Sequence, residues 1–377
     1  MLQSPSDRSN YPSLNEYIYL NQASLGLIGQ PAVSAMHRFL DTTARHGNSK
    51  MSDAEEVAFL DPLRENAAKL MNCRQENVAI ISSASEILNQ LPHLFNPPIG
   101  SNIVTVSSDF PSITRPWIAY CKSHECKLKF VEENFDQNLT EEIIKAIDSK
   151  TSVVCVSYVQ FSTGTQLNIK RLSSIAKKYG SRLVVDITQA AGAVPISTLD
   201  WDADVLVCSG YKWLGGHGGV ALAYISSELL NKTPPGVGWF GAENPFDMQA
   251  TQLKLSKTAG RYTQSTMSYI SVKGLTIAIT ELLNIGLETI SDHSKKLVKI
   301  LNQELTPSNW KSYRPIEDQS ASSHIVTLET TQNETTKLPL YLKNKKIICG
   351  SRNGRLRISL AHYNNETDIK TLVNSLL

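Results

Sequence analysis

One lysine stands in a setting that could give it chemistry. Lys212 closes the run Ser209-Gly210-Tyr211-Lys212 at the end of an apolar stretch over 205–208, and Gly215, Gly216, Gly218 and Gly219 follow it. An earlier apolar stretch ends in Asp186, with Gln189 three residues on and Lys212 26 residues on. Two buried strands thus deliver polar groups at their carboxyl ends, where open α/β sheets bind ligands. An acid, an amide, a pair of hydroxyls and a lysine suit a cationic heteroaromatic ring that carries a phosphate and an aldehyde. Pyridoxal 5′-phosphate answers that description, with Lys212 as its Schiff-base lysine. Asp186 would keep the ring nitrogen protonated, and Gln189 would reach the ring's 3-oxygen. Ser209 and Tyr211 would donate to the phosphate, and the glycines allow close backbone approach. A lysine in a partly apolar pocket loses pKa, which opens transimination near neutral pH.

The elements that must position these groups follow from periodicity. Apolar runs predict strands over 17–20, 78–81, 103–106, 127–131, 153–156, 183–185, 205–208 and 220–224. Spacings of i, i+3 and i+4 predict helices over 31–45, 54–71, 86–94, 113–123, 140–147 and 169–179. Thr140, followed by glutamates, reads as the capped start of its helix. This alternation implies an α/β fold with a mostly parallel sheet covered on both faces. The pattern changes after about residue 234. Two long helices over 268–286 and 290–305, short strands near 323–328, 346–349 and 356–359, and a closing helix over 366–377 make a smaller α+β unit. The expected division is an amino-terminal arm over 1–16, a large cofactor-binding domain over 17–265 and a small carboxyl-terminal domain over 266–377.

Composition excludes several classes. With 41% hydrophobic and 19% charged residues the 377-residue chain reads as an ordinary globular protein. A net charge of +2 with no basic tract gives no case for nucleic acid or an anionic membrane as partner. No apolar run approaches the ~20 residues needed to cross a bilayer, and the amino terminus lacks a signal-peptide core, so a cytoplasmic location is expected. The six cysteines include no CxxC pair and read as reduced thiols, three of them within strand-like runs. The eight histidines form no ligand cluster, so no metal is expected.

The Asp-x-x-Gln strand end, the Ser-x-Tyr-Lys run and the Gly-rich turn resemble the class V aminotransferases of the fold-type I pyridoxal-phosphate enzymes. That family includes cysteine desulfurases, kynureninase, isopenicillin N epimerase and C–S lyases. The resemblance runs from YIYLNQASLG (17–26) to LRISLAHYNNETDI (356–369). It implies a large domain with a seven-stranded-type sheet and a homodimer. Ser83-Ala84-Ser85-Glu86 resembles the phosphate-cradling loop, so backbone amides of Ala84 and Ser85 at a helix amino end would hold the phosphate. DFPSITRPW (109–117) resembles the segment that stacks a ring on the cofactor, here Phe110 where desulfurases carry histidine. Arg357 resembles the arginine that clamps the substrate α-carboxylate. Arg352 and Arg355 are read as alternating outward. Asn21 matches a segment lining the substrate pocket, and Gln160, Ser162 and Thr163 occupy a loop that often faces the cofactor.

GRYTQSTMS (260–268) resembles the stretch through which one subunit hands a threonine to its partner's cofactor phosphate, and Thr266 fits that role. Thr263, Ser265 and Ser268 replace the usual Glu, Gly and Asn. Composite sites in a homodimer follow from this match. His217 and Trp239 could shape the substrate pocket or be structural. Persulfide-forming desulfurases need a cysteine on a mobile loop ahead of the arginine. Here the nearby thiol is Cys349, inside the apolar run KIICG, which reads as a buried strand thiol. The expected activity is therefore Cβ–S bond cleavage of an L-amino acid without a persulfide relay. An aminotransferase is the alternative, followed by an epimerase, a kynureninase-type hydrolase, or a degenerate binding module that has lost catalysis.

Overall fold

The computed structural model describes residues 1–306, 308–330 and 337–377. In chain order its elements begin with strand β1 (Ile18–Tyr19) and helices α1 (Gln30–His46), α2 (Asp53–Ala58) and α3 (Asp61–Met71). Then come β2 (Val78–Ile81), α4 (Ala84–Phe95), β3 (Asn102–Val106), α5 (Pro111–Ser123), β4 (Lys127–Val131) and α6 (Leu139–Ala146). Next are β5 (Thr151–Ser157), α7 (Ile169–Lys178), β6 (Arg182–Asp186), the single turn α8 (Thr198–Trp201), β7 (Val205–Ser209) and β8 (Ala221–Ile225). The remainder holds α9 (Tyr269–Ile285), α10 (Leu287–Leu305), β9 (Lys311–Ser312), β10 (Ile325–Glu329) and α11 (Leu338–Asn344). It ends with β11 (Ile347–Ile348), β12 (Gly350–Arg352), β13 (Arg355–Ser359) and α12 (Glu366–Leu376).

A seven-stranded sheet in the order β2-β8-β7-β6-β5-β3-β4 forms the centre, which is the α/β fold expected. β7, β6, β5, β3 and β4 run parallel. β8 runs antiparallel to both β7 and β2. Residues 210–220 are too few to carry a crossover helix, so the chain after β7 must turn straight back.

Two-residue alternation sorts the strand side chains onto two helix layers. Val154, Val156, Leu183, Val185, Leu206 and Cys208 join one buried cluster with Ile169, Leu172 and Ala176 of α7 and Val272, Leu275 and Ile279 of α9. Val153, Cys155, Val184, Val205 and Val207 face the other way, against Ile87, Leu88 and Leu91 of α4 and Ile113 and Trp117 of α5. Each such fully buried side chain contributes about 1.5–3 kcal/mol. The same parity carries Ser157, Asp186 and Ser209, the last residues of β5, β6 and β7, onto the α4 and α5 face. There the amino ends of those two helices meet the strand ends.

The small unit pairs β12, β13, β10 and β9 in a four-stranded sheet. Its core joins Leu297, Leu301 and Leu305 of α10 with Val326, Ile358, Leu372 and, from the beginning of the chain, Leu20. β1 pairs in parallel with β11, and Asn21 bridges to Ser359, so the amino-terminal segment lies against this unit. No single helix among the described residues is long and apolar enough to cross a membrane.

Two local expectations are corrected. The helix expected over 54–71 is two helices, α2 and α3. Pro62 lies in the first turn of α3, where its missing N–H is harmless, whereas within a helix continued from α2 it would cost a hydrogen bond. The cap of α6 is Asn138, whose carboxamide oxygen accepts from Glu141 N at 3.3 Å; Thr140 lies inside the helix and accepts from Asn168 N.

Gly164, with φ at +77°, turns the loop after β5 against the small unit, and a Cβ there would sit 2.2 Å from the Ile325 carbonyl oxygen. Gly164→Ala is expected to lower stability by about 3 kcal/mol, from the left-handed backbone and the clash together. A fall in the denaturant midpoint at unchanged m-value measures it.

Candidate active site

The strand ends and helix ends enclose a cavity of about 120 Å³ lined by Ser83, Ala84, Ser85, Phe110, Asp186, Gln189, Ser209, Tyr211 and Lys212. Sequence reasoning had not singled out its other lining residues, Ser112, Ser157, Phe161 and Thr188. Lys212 and Asp186 therefore face one enclosed space, although each comes from a different strand end.

Asp186 is 5% exposed, and its Oδ1 accepts from Thr188 N at 2.7 Å. Thr188 Oγ1 in turn accepts from Ser209 N at 3.1 Å, which ties the ends of β6 and β7 together. Burial raises the Asp186 pKa, against the Thr188 bonds and the Lys212 charge that lower it. An acid with this surplus of desolvation is stabilised by a cationic ring N–H.

Lys212 is 7% exposed, and its Nζ lies 5.1 Å from the centre of the Phe110 ring. Burial pulls its pKa down to about 8; Asp186 opposes that shift, and Arg357 and Arg352 add to it. The amine is thus substantially unprotonated at mildly alkaline pH, which a nucleophile toward an aldehyde requires. The segment 21–26 packs on the Lys212 backbone. Gln22 Nε2 donates to the Lys212 carbonyl at 3.0 Å, and Gly26 N donates to that of Tyr211 at 2.9 Å. Gly26 is required there, because a Cβ would fall 2.0 Å from the Lys212 oxygen.

Phe110 precedes α5, and its ring meets Phe161 edge-on at 5.4 Å. Its placement rests on Asp109, which the sequence reading passed over. The buried Asp109 carboxylate accepts from Phe110 N (2.7 Å), Ser157 N (2.8 Å), Ser157 Oγ (2.5 Å) and Gln160 Nε2 (3.4 Å). Burial raises its pKa to about 6 despite those bonds. At the amino end of α4, Ser83 caps Glu86 N at 3.2 Å, and Ser85 Oγ lies 2.9 Å from Ser112 Oγ. A helix amino end flanked by two hydroxyls suits a phosphate.

Gln189 lines the cavity, but its carboxamide also holds the surroundings together. Nε2 donates to Ala23 O at 3.1 Å and Oε1 accepts from Trp213 Nε1 at 2.8 Å, which leaves one N–H for a ligand. Gln160 is engaged by Asp109, and Thr163 donates to Glu133 Oε1 at 2.8 Å. Ser162 is buried, with its hydroxyl unpartnered. Thr266 lies exposed on the loop before α9, and neither it nor Trp239 nor His217 lines the cavity of its own chain. Trp239 instead packs on Phe240 and Phe246.

Arg357, on β13, is 1% exposed. It donates to Phe161 O at 2.7 Å and to Ser24 Oγ at 2.5 Å, and its Nε is buried without a partner. Burial, with the Arg352 charge, pulls its pKa down to about 9. Asn21 Oδ1 accepts from Ser24 Oγ at 2.9 Å, so Asn21 positions the hydroxyl that Arg357 uses. Arg355 pairs with Glu329 at 2.9 Å, but Arg352, read as pointing outward, reaches Ser24 Oγ at 3.2 Å. Its convergence follows from the β12–β13 hairpin, which the sequence reading had not drawn. Cys349 is buried, and burial pushes its thiol up to about 12.

These residues fit pyridoxal 5′-phosphate. Asp186 would meet the ring nitrogen, Lys212 the aldehyde carbon, Phe110 the ring face, and Ala84, Ser85 and Ser112 the phosphate. The pH dependence of Lys212 tests the electrostatics on the apoprotein. Reductive methylation at this residue is expected to rise through pH about 8, where an unshifted lysine would rise near 10.5. Residue-resolved mass spectrometry measures it, and a Lys212 rate that tracks the exposed lysines would contradict this environment.

The Aminotransferase class-V family profile matches residues 18–372. The uncharacterized aminotransferase YcbU of Bacillus subtilis is 26% identical over 371 residues, covering 98% of this chain and 96% of its own. A kynureninase of Bacillus cereus is 26% identical over 82% of this chain and 76% of its own. In fold, the solved apo cysteine desulfurase from Thermococcus onnurineus NA1 is similar with a TM-score of 0.87 at 23% identity, covering 100% of this chain and 98% of its own. With the match running from β1 into α12, the chain belongs to the class V aminotransferase family of pyridoxal 5′-phosphate enzymes.

Proposed function

We propose that this enzyme cleaves the Cβ–S bond of an L-amino acid, as a C–S lyase or desulfurase-like enzyme that does not pass sulfur through a mobile cysteine. One observation carries the reading. The Lys212 amine, beside a ring that cannot transfer protons, is the group placed to move them, while Cys349 is closed into the core of the small unit.

When bound, the cofactor supplies an electron-accepting ring that stabilises negative charge at the substrate carbon bearing the amine. Asp186 holds the proton on the ring nitrogen. Arg357 binds the α-carboxylate through its planar fork, and its unpartnered Nε gives that carboxylate a donor to satisfy. Lys212 takes the proton from Cα at its Nζ. The Cβ–S bond then breaks with its electron pair leaving on sulfur, and hydrolysis of the remaining three-carbon enamine gives pyruvate and ammonia. Phe110 keeps water from the ring face and leaves the proton inventory to Lys212.

Transamination is the second reading. A lysine placed to remove the Cα proton would also be the residue to hold and return it in a transamination, with no further residue required. The coverage of YcbU at both ends favours this alternative. A homodimer in which the exposed Thr266 reaches the partner's phosphate site accompanies either reading, as does a cytoplasmic location.

Reduction with borohydride is expected to fix the chromophore on Lys212, and Lys212→Ala to lower turnover by about 10⁴-fold or more. With S-substituted cysteines, equimolar pyruvate and thiol support cleavage. Conversion of the cofactor to its amine form, reversed by a keto acid, supports transamination and overturns the lyase reading. Cys349→Ala is a separate check: turnover of cysteine to pyruvate and sulfide is expected to stay within about twofold, because an inert buried thiol takes no part in Lys212 chemistry. Alanine as the carbon product of the wild-type protein, lost in Cys349→Ala, would restore a persulfide relay, in which the substrate sulfur passes to the thiol and the carbon skeleton leaves as alanine.

A further inference from the structure

Arg357 does not line the cavity itself but bonds the carbonyl of the lining residue Phe161, and a second cation lies beside it. The hairpin of β12 and β13 sets Gly350 opposite Arg357 and Arg352 opposite Arg355. Arg352 Nη2 donates to Ser24 Oγ at 3.2 Å, and that same hydroxyl accepts from Arg357 Nη2 at 2.5 Å. Arg352 Nη1 is anchored by the Ser351 carbonyl at 2.7 Å. Two guanidinium groups therefore converge on one neutral oxygen. Their neighbour on the strand, Arg355, shows the ordinary arrangement, paired with Glu329. Among the described residues, no salt bridge is formed by Arg352 or Arg357.

Like charges held together out of water weigh against the fold unless an anion joins them. A single α-carboxylate can be gripped by Arg357, whose buried Nε has no partner in the protein. The Arg352 charge is then left over. Arg352 is half-buried where Arg357 is 1% exposed, so of the two guanidiniums held on Ser24 it is the one nearer solvent.

We infer that Arg352 reads a second anionic group at the far end of the substrate side chain, so that the enzyme selects an acidic amino acid over a neutral one of the same length. The chemical class is an L-amino acid whose side chain ends in a carboxylate or sulfur oxyanion. Under the lyase reading that group is carried on the departing sulfur fragment. Ser24 Oγ accepts from both guanidiniums, and Asn21 Oδ1 accepts from Ser24 and so orients it.

This inference rests on Arg357 as the α-carboxylate anchor but not on the reaction type, and binding of non-reacting acids separates the two. Succinate, glutarate and adipate, each against the monocarboxylate of equal carbon number, are titrated into purified holoenzyme by calorimetry. At least one diacid is expected to bind about thirtyfold or more tightly than its monoacid partner. That ratio should fall to near one in Arg352→Gln and be largely retained in Arg352→Lys, which keeps the charge. In kinetics, the ratio of kcat/KM for acidic over neutral S-substituted cysteines should fall by a similar factor in Arg352→Gln. Equal affinity of the wild-type protein for diacids and monoacids would overturn the inference. So would an Arg352→Gln variant, folded by circular dichroism, that weakens both classes alike, since that places both arginines on one carboxylate. Borohydride labelling of Lys212 is indifferent to either result, so failure here leaves the cofactor reading standing.

Discussion

A positive charge held out of water sets the terms for everything around it. The Lys212 ammonium shares its cavity with the buried acid Asp186 and feels the charges of Arg357 and Arg352, neither of which lines that cavity. Desolvation pushes the lysine toward neutrality and Asp186 toward protonation, and each partly relieves the other. Neither group is at rest without an additional partner. A cationic ring bearing an aldehyde would suit both groups, with Asp186 facing the ring's N–H and Lys212 facing the aldehyde. The cavity is built to be incomplete.

What positions this pair is the arithmetic of a pleated sheet. Strand residues of one parity fill the layer under α7 and α9, and those of the other parity fill the layer under α4 and α5. Extending the second set by one step beyond its last apolar member gives Ser157, Asp186 and Ser209. The register pairs Ser157 directly with Asp186. The helices on that face begin where the strands end, so their amino termini supply donors to the same space. Return of the chain through the Gly-rich turn makes β8 antiparallel and leaves Lys212 at the rim, where segment 21–26 closes over its backbone.

Much of this was legible in the chain itself. Lys212, Asp186 and Gln189 stand out because strand ends and turns mark where polar groups are delivered, and Phe110 through the resemblance of the segment 109–117 to one that stacks a ring on the cofactor. Six of the seven sheet strands were readable as short apolar or β-branched runs, and the edge strand β4 as the alternating sequence KLKFV. Asp109 was not singled out. Its neighbours in sequence are ordinary, and its role comes from Ser157 and Gln160, which reach it only through the β3–β5 pairing. That same alternation in β5 could have nominated Ser157. Ser24 and Arg352 were opaque for a different reason. Their meaning lies in a contact between opposite ends of the chain, and the short β12 carries no apolar run to announce it. The split between α2 and α3 was legible in part, since Pro62 disfavours a helix continuing through it, although Pro92 and Pro116 lie inside α4 and α5.

Segment 20–26 and the hairpin at 350–359 have a bearing on how the protein is made. Ser24 and Arg357 bond across 333 residues of sequence, and Tyr363 closes on Gln22 in the same way. On the ribosome, the wall of the substrate site formed by residues 20–26 must therefore wait, unpaired, until β13 has emerged. The large sheet can form before that moment, and so can the pocket beneath it, but amino-acid recognition cannot. Capture of the vitamin and recognition of the substrate thus mature at different times in the life of a single nascent chain.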